Sequence, residues 1–324
     1  MKNAVMELRW DPVLGEWIMV SSVRHVRPWL PESFCPFCPG APETGYGWQV
    51  LVLENKYPML TPEPPQPSSH HFYVKSKSSG GNLIIVETPQ HDLDDISDLD
   101  VNSIKLVLEA LKNLVEEERG KDYAKYLLWF RNKGVEIGVS LTHPHSQVYV
   151  TPFTPVKVER ELTNSKRYTI ESGGKCLFCN IINVEESEKK RILYSNKSWV
   201  AFMPFYAHWP FEAHIYPRRH LQLLSDLEEE ELSLLALTLK VVLCGFKKLF
   251  RKPSPYIMVM HQAPLKGDYS FYHMHFEIYG VMRGENVLKY AAGMEMGGGN
   301  FTFDSVPEDN ASRLRDSIST CLRS

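Results

Sequence analysis

The chain of 324 residues is 43% hydrophobic and 23% charged, with 36 basic against 39 acidic residues for a formal net charge of -3. That length supports a large core in one or two domains, and the near-balance of charge argues against a partner held by bulk positive potential, such as nucleic acid. No apolar run is long enough to span a bilayer, and the start MKNAVMELRWDP lacks a signal-peptide core, so no membrane partner and a cytoplasmic protein are expected, where disulfides are uncommon.

In chain order, the first chemical signal is SFCPFCPG, with Cys35 and Cys38 at Cys-x-x-Cys spacing. A Pro/Ser-rich loop follows at Thr61–His71, and SKSSGGN, Ser76 to Asn82, reads as flexible and exposed. NLIIVETP reads as a strand that leads to His91. HDLDDISDLDVNSIKLVLEALKNLVEE then carries apolar residues at three- and four-residue steps, the period of an amphipathic helix, with acidic residues at its start where the helix dipole favours them. Strand-like YLLWFRNKG and SQVYVTPF close this half, the second of them entered through GVSLTHPH. Val156–Gly174 reads as a connector.

The plan then repeats. Cys176 and Cys179 stand in KCLFCNI, FEAHIYP is a strand, and His220 opens HLQLLSDLEEEELSLLALTLKVVLCGFKKLF, a second helical run. YIMVMHQ and HFEIYGVM are its closing strands, the latter preceded by His273-x-His275. From His91 to His143 is 52 residues, and from His220 to His273 is 53. Self-similarity at that period predicts a duplicated α+β unit, mostly antiparallel with crossover helices, in which the two halves share a continuous sheet. The expected division is 1–160 and 161–324. Cys244, inside the second helix, reads as a small buried residue, and Cys321 in the polar tail carries no assignment.

Two Cys-x-x-Cys pairs in a reducing compartment point to zinc. His143, Pro144, His145 and Gln147 lie in one β-like run, and strand alternation would point His143, His145 and Gln147 the same way. Histidines on a half-buried strand are often only hydrogen-bonded core residues; three aligned polar groups behind GVEIGVS favour a site. Cys35, Cys38, His91 and His143 have the composition of a closed tetrahedral zinc site, with a pair of buried thiols as the bland alternative. That leaves His145 for nucleophilic chemistry and Gln147 to donate to an oxyanion. The repeat places Cys176, Cys179, His220 and His273 as a second metal set. The second half has Phe276 and Glu277 where Ser146 and Gln147 stand in the first, so it reads as a catalytically silent copy.

NKG…GVS..HPHSQ, WPFEAHIYPRRH and HMHFEIY together resemble the galactose-1-phosphate uridylyltransferase branch of the histidine-triad superfamily, over nearly the whole chain from LGEWIMVSSVRHVRPW to LKYAAGMEM. Most of that superfamily has a third histidine where the transferase branch, like this chain, has glutamine. The resemblance implies two tandem histidine-triad-like repeats, a homodimer with sites completed across the interface, and a ping-pong reaction. In that reaction UDP-glucose transfers UMP to His145, and galactose-1-phosphate then collects it. The resemblance further implies nucleotide- and phosphate-binding roles for Arg24 and Arg27, a uridine-side role for Asn55, phosphate-holding roles for Asn132 and Ser140, and hexose-binding roles for Lys289 and Glu295. Arg24 and Arg27 could equally form a solvated basic loop. Met294 replaces a family tyrosine next to Glu295. Family members without the second Cys pair use a zinc or iron site matching Glu161, His261, His273 and His275. All four are present here, and the stronger affinity of thiolates for zinc favours the cysteine set as owner of His273. Two other readings compete: an ADP-glucose phosphorylase or adenylyltransferase of the same superfamily, and a non-catalytic zinc-stabilised nucleotide-binding module.

Overall fold

The computed structural model describes residues 5–26, 34–250 and 252–323. Nine strands form one antiparallel sheet. In chain order they are β3 (Leu51–Glu54), β5 (Gly81–Val86), β6 (Tyr126–Lys133), β7 (His145–Thr151), β8 (Ile192–Ser195), β9 (Trp199–Phe202), β10 (Phe211–Pro217), β11 (Tyr256–His261) and β12 (His275–Gly280). Their spatial order is β3-β5-β7-β6-β11-β12-β10-β9-β8. The first half supplies β3-β5-β7-β6, the second supplies the rest, and the halves meet where β6 pairs with β11. A smaller sheet holds the hairpin β1 (Met6–Asp11) and β2 (Glu16–Ser21) with β4 (Lys75–Lys77) added to β1.

Helices α1 (Val101–Arg119) and α4 (Glu229–Lys248) are the two expected crossovers. Asp100 caps α1 by accepting from the Ser103 amide at 3.0 Å. Three glutamates stand in the first turn of α4 and Lys247 and Lys248 in its last, each sign at the end the dipole favours. Val148 and Val150 of β7 are buried in the same core as Ile104, Leu108 and Leu111 of α1, Leu239 and Val242 of α4, and Phe276 and Ile278 of β12. Alternation therefore turns His145, Gln147 and Tyr149 to the opposite face. Among the described residues no helix is long and apolar enough to cross a membrane.

Three expectations change. Ser76–Asn82 is not an exposed loop: it spans the end of β4 and the start of β5, with Ser78 and Asn82 buried. The Asn82 carboxamide oxygen accepts from the Leu60 amide at 3.0 Å, and a Cβ on Gly80 would come within 2.2 Å of the Val150 carbonyl. The glycines that suggested flexibility instead permit close packing. Val156–Gly174 is mostly a helix, α2 (Val156–Glu171), followed by α3 (Leu177–Glu188). Cys244 and Cys321 are not isolated: they form a disulfide that ties α5 (Pro307–Cys321) to α4. Two single cysteines 77 positions apart carry no spacing signal. The docking of α5 brings them together, with Ile318 against Gly245 and the Ser317 hydroxyl on the Gly245 carbonyl at 2.7 Å.

Candidate active site and metal centres

Pro144 precedes β7, where its missing amide proton costs no ladder bond, and His145 is the first strand residue. His145 and Gln147 stand opposite Val86 and Ile84 of β5. The His145 Nδ1–H donates to the His143 carbonyl at 2.8 Å, which fixes the tautomer and leaves the lone pair on Nε2. Phe37 packs on the imidazole with ring centroids 5.1 Å apart. The two side chains line a cavity of about 270 Å³ whose apolar walls include Phe34, Pro36, Phe37, Leu53 and Ile84 and whose polar groups include Glu43, Asn55, Lys56 and Ser140.

The other sequence candidates fall in three groups. Asn55 and the buried Ser140 line this cavity with His145. Arg24 and Asn132 flank it: the Arg24 guanidinium donates to the Tyr149 hydroxyl at 2.6 Å, next along the row's face, and Asn132 stands on β6 on the same side by alternation. Lys289 and Glu295 lie elsewhere in this chain. Lys289 Nζ donates to the His208 carbonyl at 2.9 Å, and Glu295 accepts from the Thr302 hydroxyl at 2.6 Å. That hydroxyl and neighbouring backbone amides hold the Glu295 carboxyl down at about 2. Arg27 lies outside the described residues.

His143 precedes β7, and its imidazole joins the cysteines rather than the cavity. One ligand atom each from Cys35, Cys38, His91 and His143 lies within 4.8 Å of the others. The Nδ1 atoms of His91 and His143 are 3.3 Å apart, and Cys35 Sγ is 3.6 Å from His143 Nδ1. Those are the edges of a tetrahedron with Zn–N of about 2.0–2.1 Å and Zn–S of about 2.3 Å. The His143 Nε2–H donates to the Thr88 carbonyl at 2.8 Å, which orients the ring. Cys176, Cys179, His220 and His273 repeat the arrangement, with Cys179 Sγ 3.5 Å from His273 Nδ1 and 3.6 Å from His220 Nδ1. His273 Nε2–H likewise donates to a carbonyl, that of Pro217, at 2.9 Å.

His273 thus belongs to the cysteine set, and the set Glu161, His261, His273, His275 does not assemble. A third group assembles instead from Glu161, His261, His275 and Glu277. Glu161 accepts from His261 at 3.0 Å and from the Tyr272 hydroxyl at 2.6 Å. His275 Nε2 is 3.5 Å from Glu277 and 4.0 Å from Glu161. Two imidazoles with two carboxylates make a harder donor set than the cysteine sites, suited to zinc or iron. Sequence reasoning passed over Glu277 as a ligand. Its signal was position: it aligns with Gln147, two residues beyond the repeat's histidine.

The second half preserves the geometry of the first and changes its charge. His275 Nδ1–H donates to the His273 carbonyl at 3.1 Å, as His145 does to His143. His214 pairs with Glu277 across β10 and β12 where Ile84 pairs with Gln147 across β5 and β7. A cavity of about 650 Å³ lies here too, with Glu161, His214, His275 and Glu277 in its lining. Burial pushes the His275 pKa down in spite of the two carboxylates. Glu277 itself is held well below the usual carboxylate range, because His214, His261 and Lys157 outweigh its burial. A carboxylate there repels the phosphoryl oxygens that an amide at Gln147 can receive.

A duplicated unit with one histidine-glutamine row, set on an antiparallel sheet and braced by a Cys2His2 cluster, defines a tandem histidine-triad-like fold with a single complete row. Residues 1–155 match the family described as galactose-1-phosphate uridyl transferase, N-terminal domain, and residues 161–322 match its C-terminal domain. The galactose-1-phosphate uridylyltransferase of Thermotoga maritima is 34% identical over 317 residues, covering 96% of this chain and 98% of that protein. A solved structure described as a uridylyltransferase superposes with a TM-score of 0.92 at 49% identity, covering 98% of this chain and all of that one. An ADP-glucose phosphorylase from Arabidopsis thaliana, solved with ADP-glucose, gives a TM-score of 0.74 at 28% identity over 95% of this chain and 98% of its own. The chain belongs to the galactose-1-phosphate uridylyltransferase family.

Proposed function

We propose that the protein transfers UMP from UDP-glucose to galactose-1-phosphate through His145. The observation that carries this reading is the tautomer: Nδ1–H is tied to a carbonyl, so Nε2 holds the lone pair in a cavity it shares with Gln147. Nε2 attacks the α-phosphorus of UDP-glucose, an N–P bond forms, and the P–O bond to glucose-1-phosphate breaks. A phosphate oxygen of galactose-1-phosphate then attacks the same phosphorus, the N–P bond breaks, and UDP-galactose leaves. Splitting the transfer through a covalent intermediate lowers each barrier. The Gln147 amide donates to the phosphoryl oxygen in both steps. Ser140 and Asn132 hold phosphate oxygens, Arg24 and Arg27 add charge at the nucleotide, and Asn55 meets the uridine.

Lys289 and Glu295 take the hexose in a homodimer, from the second copy. Their distance from the cavity of their own chain supports that reading. The active half is 1–160 and the silent half 161–324. Zinc occupies both Cys2His2 clusters and supplies structural cross-links there, and the Glu161, His261, His275, Glu277 group is a further candidate for zinc or iron.

Intact mass after incubation with UDP-glucose, beside ADP-glucose and His145→Ala, tests the reading. A UMP-sized adduct is expected with UDP-glucose alone and not in the variant. An AMP-sized adduct instead would move the protein to the phosphorylase reading, and no adduct from the folded, zinc-loaded protein would favour a binding module.

A further inference from the structure

Both cysteine loops carry the same residue at the same place. In Cys-Pro-Phe-Cys and in Cys-Leu-Phe-Cys a phenylalanine stands directly before the second cysteine. Neither ring turns to solvent: Phe37 and Phe178 are both buried. Each meets the histidine two residues past the last histidine of its cluster. Phe37 packs on His145 with ring centroids 5.1 Å apart, and Phe178 packs on His275 at 5.0 Å. The contact is therefore part of the repeated unit and not peculiar to one half.

What the contact does follows from how His145 is held. The hydrogen bond from its Nδ1–H to the His143 carbonyl fixes the tautomer, but one hydrogen bond lets a ring rock about it. A second ring packed at 55° to the imidazole opposes that rocking. Phe37 is itself anchored. The Cys38 amide donates to the Cys35 carbonyl at 3.3 Å and closes the turn around it, and the Thr44 hydroxyl donates to the Cys38 carbonyl at 2.6 Å. Both thiols lie within 3.8 Å of His143 Nδ1. The carbonyl that ties His145 and the ring that braces it thus both issue from residues of one cluster. Attack on phosphorus needs the lone pair in line at about 3–3.5 Å, and a misplacement of about 1 Å can cost about 10²-fold. We propose that Phe37 is a positioning residue, whose ring holds the His145 imidazole so that Nε2 points in line at the phosphorus. This rests on the proposed transfer through His145 and names what aims it.

The other half supplies a matched control. Phe178 has the same place in its loop and the same contact, but its histidine belongs to the half without the complete row. There Tyr216 at 4.9 Å and His261 at 5.2 Å also wall the His275 ring. Truncating Phe178 therefore repeats the packing loss of truncating Phe37 and leaves the nucleophile untouched.

Rapid-quench measurement of adduct formation from saturating UDP-glucose tests the assignment in the wild type, Phe37→Ala and Phe178→Ala, with zinc content and unfolding midpoint read on each. Saturation separates aim from binding, since Phe37 also lines the cavity. Phe37→Ala is expected to form the adduct about 10- to 100-fold more slowly with its zinc retained. Phe178→Ala should show a similar fall in midpoint and the wild-type rate. Phe37→Leu keeps most of the volume and should recover most of the rate. Should Phe37→Ala lose zinc or unfold, Phe37→Val against Phe178→Val makes the same comparison. A wild-type rate in Phe37→Ala, a loss that saturating substrate abolishes, or an equal loss in Phe178→Ala would overturn the assignment and leave the transfer standing. No adduct in the wild type would remove the transfer and this assignment with it.

Discussion

Gln147 and Glu277 occupy equivalent places in the two halves, two residues past equivalent histidines, and differ by an amide against a carboxylate. An amide donates to a developing phosphoryl charge and cannot give up a proton. Gln147→Ala is expected to lower kcat by about 10² to 10³ with the fold intact, the usual cost of a lost oxyanion donor, read from steady-state rates. Gln147→His should let water discharge the uridylyl-histidine, and an adduct lifetime equal to that of the wild type would sink the idea that glutamine guards the intermediate. His145 and Gln147 were legible from strand alternation alone. Glu277 was not, because its partners Glu161 and His261 come from a helix and a strand that no local spacing links to it. Lys289 and Glu295 were suggested only by resemblance, and in their own chain they are occupied by Thr302 and His208.

The elements were legible wherever period and length agreed. Strands β5, β6, β7, β10, β11 and β12 and both crossover helices fall in the runs whose alternation or three-to-four spacing announced them. Glycine misled at Gly80, where it marks a tight approach to β7 rather than mobility. Helix α5 gave least away, since only Asn310, Ala311, Leu314 and Ile318 of it are buried and its pairing with Cys244 is purely tertiary. The disulfide closes a segment of 77 residues. Cys321→Ser should therefore cost about 2–4 kcal/mol of stability, and wild-type protein should lose a similar amount when reduced. Matching denaturation curves before and after reduction would show that α5 is held by its noncovalent packing and hydrogen bonds without help from the disulfide.

Across the whole molecule, a buried ionic network joins the halves beside β7. Arg131 of β6 donates to Glu87 at 2.9 Å and to the Tyr256 hydroxyl at 2.8 Å, and Tyr256, on β11 of the other half, donates to Asp95 at 2.9 Å. Burial pushes the Glu87 carboxyl up, whereas Arg131 and Lys133 together hold Asp95 down. Arg131→Met would strand two buried carboxylates and should cost about 3–5 kcal/mol by chemical denaturation. A second buried carboxylate sets part of the acid limit. Glu212 is held at about 2, against an ordinary 4.5, by His208 and His214 in spite of its burial. The stability it supplies is full above about pH 4.5 and is lost as pH falls toward 2, on the order of 3 kcal/mol in all. Glu212→Gln should be less stable at pH 7 and lose less between pH 5 and pH 3, measured by denaturation at each pH.

The junction of β6 with β11 has a consequence for how the gene can be cut. Both strands lie at the centre of the sheet, and each spends one row of backbone amides and carbonyls on the other. A half expressed alone would present that row to solvent as a ready template for a neighbour's strand, with Tyr256 or Arg131 uncovered beside it. Neither half can therefore be dropped without uncovering the other: each caps the other's open sheet edge.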